Sequence, residues 1–106
     1  METKIVRLTT GEELIAKVDT SKTDVITMND PYVLVPTRQN AIALAPWLPY
    51  TNIKDEGLDI PMDRVVFVTN PHKELVKEYD SAVSGLIVPE KGDVVGVVGS
   101  TNLTEG

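Results

Sequence analysis

KIVRLTTGEELIAKVDTSKTDVITMNDPYVLVP (4–36) is the stretch that decides the fold. KIVRLT (4–9) runs into a tight turn at Thr10-Gly11-Glu12, and LIAKV (14–18) runs out of it. A looser turn at Ser21-Lys22-Thr23-Asp24 leads to VITMN (25–29) and then YVLVP (32–36). Val6 and Leu8 alternate with Arg7 and Thr9; Leu14, Ala16 and Val18 alternate with Ile15 and Lys17. One face is apolar and the other mixed, which is the pattern of half-buried strands. Pro31 cannot donate to a ladder, so a bend, bulge or edge is expected there. The whole stretch predicts a β-meander.

Further on, AIALAPWL (41–48) and VVFVT (65–69) are apolar on both faces. A strand of that kind has to be covered on both sides. Either a second subunit supplies the cover, or the helix and tail of the same chain do. Between these strands PYTNIKDEGLDIPMD (49–63) is rich in Pro, Gly, Asn and Asp and reads as a long loop. A helix is expected over 71–84, with Asn70 as cap and Pro71 at the first helical position. Leu75, Val76, Tyr79, Ala82 and Val83 form its apolar stripe, and the helix is expected to pack on an open mouth of the sheet. Gly85 suits the position past the helix end, where φ is positive. DVVGVV (93–98) reads as a short edge strand, and the tail 100–106 as disordered.

A chain of 106 residues makes one domain, expected here over 1–99. It buries only about two-thirds of its unfolded surface, so its core is small. There is no cysteine, hence no disulfide framework and no thiolate chemistry, which fits a reducing compartment such as the cytoplasm. No signal-peptide pattern and no membrane-length apolar run is present, so no membrane partner is expected. The net charge is −6, and the ten basic residues are scattered singly. General nucleic-acid binding relies on clustered Lys and Arg to neutralise phosphates, so composition argues against a broad binder.

Motifs for catalysis are missing. The single histidine, His72, falls in the expected first helical turn, near unpaired amide donors that disfavour an imidazolium. Asp55, Glu56, Asp59 and Asp63 concentrate negative charge in the long loop, without EF-hand spacing, and read as a solvated acidic segment. GDVVGVVG (92–99) lacks the Gly-Lys-Ser/Thr ending of a phosphate loop. No enzyme activity, cofactor, metal or small-molecule substrate is therefore expected.

Gly11 in the first turn, followed by Leu14, Ala16 and Val18 along the second strand, resembles the first motif of Sm-like (LSm/Hfq-type) proteins. Ala16 stands where that family usually has a glycine, and a small residue there permits a sharp strand bend. Ile26, Met28 and the polar pair Asn29-Asp30 continue the likeness, and AIALAPWL with DRVVFVT resembles the second motif. The likeness spans roughly residues 3–69, and the combination looks like the divergent Sm-like proteins carried by bacteriophages, including cyanophages. It implies a mostly-β fold: a strongly bent five-stranded antiparallel sheet, an SH3-like open barrel, here with one C-terminal helix. It also implies a homo-oligomeric ring of about five to seven subunits. At its seam the fourth strand of one subunit meets the last strand of the next, with Ile42, Leu44, Trp47, Val66 and Phe67 as interface residues.

The departures concern RNA. The turn at 21–24 lacks the family's Asp…Asn base-reading pair, and Pro46-Trp47-Leu48-Pro49-Tyr50 replaces its basic element. If RNA is bound, Tyr50 is the stacking residue, Asn52 and Lys54 supply polar contacts, and Lys22 meets phosphate. Two readings of function follow. One is a ring that binds RNA or a ribonucleoprotein partner, in the host cytoplasm if the chain is of phage origin. The other is a structural module that oligomerises without nucleic acid.

Overall fold

A computed structural model describes residues 1–37, 41–49, 51, 56–85 and 96–99. The chain is mostly β: the described residues form one bent, open antiparallel sheet, with one α-helix of more than a single turn among them. Its strands are β1 (Glu2–Leu8), β2 (Glu13–Asp19), β3 (Val25–Pro36), β4 (Ala41–Pro46), β5 (Leu58–Pro61), β6 (Val65–Thr69) and β7 (Gly96–Gly99). The helix α1 spans Lys73–Val83. The sheet runs β6-β1-β2-β3-β4-β7, with β5 branching from β3. Among the described residues seven strands thus stand where five were expected. The first extra one, β5, lies inside the stretch read as loop. Its sequence LDIP carries two strand breakers, and it forms because it finds the first half of β3, from Val25↔Pro61 to Met28↔Leu58. The second, β7, overlaps the stretch 93–98 read as a short edge strand and runs one residue past it.

The β1–β2 hairpin closes as its sequence requires. Leu8 N donates to Glu12 O (3.0 Å) and Gly11 N donates to Leu8 O (2.9 Å). Gly11 sits at φ 98°, the left-handed position that ends a three-residue hairpin loop.

The bend expected at Pro31 is a β-bulge. As β2 advances from Ile15 to Lys17, β3 retreats from Tyr32 to Asn29, so Asp30 and Pro31 face a single β2 residue, Ala16. Asp30 adopts φ 51°, which an Asp tolerates better than most residues. The extra residue reverses the side-chain alternation of β3. Before it, Ile26 and Met28 enter one core with Val6, Leu8, Leu14, Ala16 and Val18. After it, Val33 joins that core, whereas Tyr32 and Leu34 turn to the opposite face.

On that opposite face lies a second core of Ile15, Leu44, Leu75, Tyr79 and Ala82, with Ile5 packed against it. α1 therefore lies over the face formed by β1 to β4 rather than on an open mouth of the sheet. Fully burying side chains such as Leu75 and Tyr79 contributes about 1.5–3 kcal/mol each. Tyr79 is completely buried, and its hydroxyl donates to Asp30 O (2.8 Å) in the bulge. Its ring meets Tyr32 edge-on at 5.7 Å. The cap of α1 is His72, whose Nδ1 accepts from Glu74 N (3.4 Å); Asn70 instead accepts from Lys4 Nζ. Gly85, at φ 83°, follows the helix as expected.

Candidate functional site

β4 and β6, alike in sequence, meet different fates. On β4, Ala43 and Leu44 are fully buried, and Leu44 lies in the core under α1. Leu44, expected at a subunit seam, thus has its surface used up within its own chain. Ile42 is half-buried in an apolar groove of about 250 Å³ that Ile5, Leu34 and Leu75 also line. Trp47 packs partly against the first core, and its Nε1 donates to Glu12 Oε2 (3.0 Å). Glu12 also accepts from Thr10 Oγ1, so one carboxylate ties the β1–β2 turn to the end of β4.

β6 is the end of the sheet path. It pairs with β1 on one side and with no other strand among the described residues. Its register with β1 shifts: Arg7 faces Phe67 and Leu8 faces Val65, which leaves Val66 as the extra residue of a bulge. The bulge breaks strict alternation. Val65 and Val68 pack against the first core, while the adjacent Val66 (57 % exposed) and Phe67 (39 % exposed) both face outward. Met62, just before β6, is also 39 % exposed. The sequence marked Val66 and Phe67 as apolar; it gave no sign of Met62, which lies in a short 3₁₀ turn at Met62–Arg64.

The other end of the sheet path is β7, which covers the outer edge of β4 in the register Ala41↔Gly99, Ile42↔Val98, Ala43↔Val97 and Leu44↔Gly96.

Of the four expected RNA contacts, Tyr50, Asn52 and Lys54 lie outside the described residues, as do Asp55 of the acidic segment and the tail 100–106. Lys22 is exposed in the β2–β3 turn, with its Nζ 3.7 Å from Asp59 Oδ2. The other Asp59 oxygen accepts from Thr27 Oγ1 (2.6 Å). Asp59 thus fastens β5 to β3 and partners Lys22, a role that the reading as a solvated loop did not foresee. In the same turn Ser21 N donates to Asp19 Oδ1 (2.9 Å), which holds the Asp19 carboxyl below its ordinary pKa.

Burial, and secondarily the charge of Asp30, pushes both the Tyr79 and Tyr32 hydroxyls above the ordinary tyrosine value. These phenols stay protonated and serve as hydrogen-bond donors that hold α1 to the bulge. No helix among the described residues is long and apolar enough to cross a membrane.

No protein-family model matches this sequence, and no curated protein matches it significantly.

Proposed function

We propose that this chain is a divergent Sm-like subunit whose main activity is self-assembly, head to tail, into a ring of about five to seven copies. The observation that carries the reading is the β6 edge, where Val66 and Phe67 stand exposed side by side on a strand that, among the described residues, is paired on one side only. An apolar strand edge is a template for another chain. The bulge at Val66 shortens the regular part of that edge, which favours one defined partner over open-ended stacking. The occupant is a second copy, because the likeness to Sm-like chains implies a seam between the fourth strand and the strand here called β6.

The purely structural form of this reading is favoured over RNA binding. Lys22 is already ion-paired with Asp59, and the chain carries a net charge of −6. The RNA-binding form rests on the resemblance, with Tyr50, Asn52 and Lys54 as its contacts. The same holds for a phage origin and a host-cytoplasm location.

Light scattering at micromolar concentration tests the assembly. The wild type is expected to have the mass of a ring, and Phe67→Asp the mass of one chain. A monomeric wild type overturns the proposal. A salt-dependent titration with single-stranded RNA then separates the two forms: absence of binding at low salt leaves the structural module standing.

A further inference from the structure

The two ends of the sheet are unlike in quality. β6 is VVFVT, five residues without glycine and rich in β-branched and aromatic side chains. β7 is GVVG, two β-branched residues between two glycines, which weaken a strand. Yet β7 holds the outer edge of β4, AIALAP, a strand whose Ala43 and Leu44 are fully buried. The poorer strand former occupies the β4 edge, and the better one ends the sheet with no strand on its outer side among the described residues.

We propose that β7 is an internal stand-in for a neighbour's β6. It caps the β4 edge in the free subunit and is displaced when the β6 of a second copy pairs there. The inference rests on the assembly reading above and adds its regulation. Displacement exchanges one short ladder on β4 for another of similar length, so backbone pairing nearly cancels. The net gain comes from covering Val66 and Phe67, which are 57 % and 39 % exposed in the free subunit. Opposing it is the tether. β7 belongs to the same chain, so its pairing with β4 does not weaken on dilution, whereas the pairing of a neighbour's β6 does. Assembly is therefore held back until the concentration of free β6 edges is high enough, and until then the apolar β4 edge is shielded from unrelated strands. Because the β4 and β6 edges are different surfaces, each contact leaves one of each open, and the chain of contacts closes as a ring when the rotation between copies permits.

The test uses the full chain with β7 locked in place. The protein has no cysteine, so Ile42→Cys with Val98→Cys adds a single pair at directly opposed positions. Opposed residues of antiparallel strands lie about 4.5–5.5 Å apart at Cα, within disulfide range. Mass against concentration is measured by light scattering, oxidised and reduced, with circular dichroism confirming the same fold in both. The oxidised protein is expected to stay monomeric at concentrations at least about tenfold above those at which the reduced protein assembles. A second variant, Val97→Pro, weakens β7 by removing a backbone donor. It is expected to assemble at concentrations about tenfold below the wild type.

Equal assembly of oxidised and reduced protein, while Phe67→Asp still breaks the ring, overturns the role of β7 and leaves the assembly reading intact. So does a Val97→Pro variant that assembles no better than wild type. Disulfide-linked dimers on oxidation mean that β7 is exchanged between subunits, which also overturns it. Monomers in every form, wild type included, remove the assembly reading and the inference together.

Discussion

β4 and β6 carry the same message in sequence and sit in opposite circumstances in the fold. AIALAP and VVFVT are both apolar on both sides. β4 lies between β3 and β7 with α1 over one face, so Ala43 and Leu44 have no exposed surface. β6 ends the sheet and, among the described residues, has a strand on one side only, and Val66 and Phe67 keep much of their surface exposed. Two-sided hydrophobicity therefore states that a strand needs cover. It does not state whether the cover comes from the same chain or from another.

Shortening one apolar side chain on each strand separates their circumstances most sharply. Leu44→Ala empties a site in the core under α1 and is expected to cost about 2–5 kcal/mol of unfolding free energy. Val66→Ala, at an edge position more than half exposed, is expected to cost less than about 1 kcal/mol in the monomer. Urea unfolding of dilute protein measures both. Similar losses at the two sites would mean that β6 is as enclosed as β4.

The next effect concerns what holds the cover in place. Tyr79→Phe removes the hydroxyl that donates to Asp30 O and leaves that carbonyl without its donor. A loss of about 1–3 kcal/mol is expected. The pH dependence follows from the raised Tyr79 pKa. The folded state keeps the phenolic proton where the unfolded chain, titrating near pH 10, releases it. Stability is thus fully present below about pH 10 and is lost as pH climbs from there towards the folded value. Tyr79→Phe should flatten that alkaline decline, and a melting series from pH 8 to 11 shows it. An unchanged slope would place the alkaline transition elsewhere.

Phe67→Asp separates folding from association. With Phe67 39 % exposed in the free subunit, the charge remains hydrated in the monomer and becomes costly only in a closed seam. The expected outcome is a monomer whose unfolding free energy lies within about 1 kcal/mol of that of dilute wild type. Global unfolding would show that Phe67 belongs to the core and erase its contrast with β4.

The smallest effect lies away from both strands. The ion pair of Lys22 with Asp59 is exposed on both partners, so Lys22→Ala should cost about 0–1 kcal/mol. If RNA binds, the same substitution should reduce the salt dependence of affinity by roughly one phosphate contact. An unaltered salt slope removes Lys22 from any RNA contact.

Much of the meander was legible because its determinants are local. Gly11 marks a turn that needs positive φ, and Pro31 marks a site where a ladder cannot continue. Leu75, Tyr79 and Ala82 lie on one helical face, and Gly85 ends it. Each feature follows from the torsional and hydrogen-bonding limits of a few neighbouring residues. The cap was misplaced by two residues, to Asn70 instead of His72, because Asn70 finds a distant partner in Lys4. β5 was missed for the same kind of reason: LDIP has poor strand character alone and gains it from β3 and from the Thr27–Asp59 hydrogen bond.

Local chemistry along the chain settles the pieces: a meander interrupted at Pro31, an amphipathic helix and two strands too apolar to stand in water. Their order in the sheet emerges only once the chain is folded. That order put Leu44 under a helix, Phe67 on an edge and a glycine-bounded strand over β4. The physical reason is range. Turn chemistry and side-chain periodicity act within a few residues, whereas strand order depends on which segments, tens of residues apart, bury the most surface when they meet.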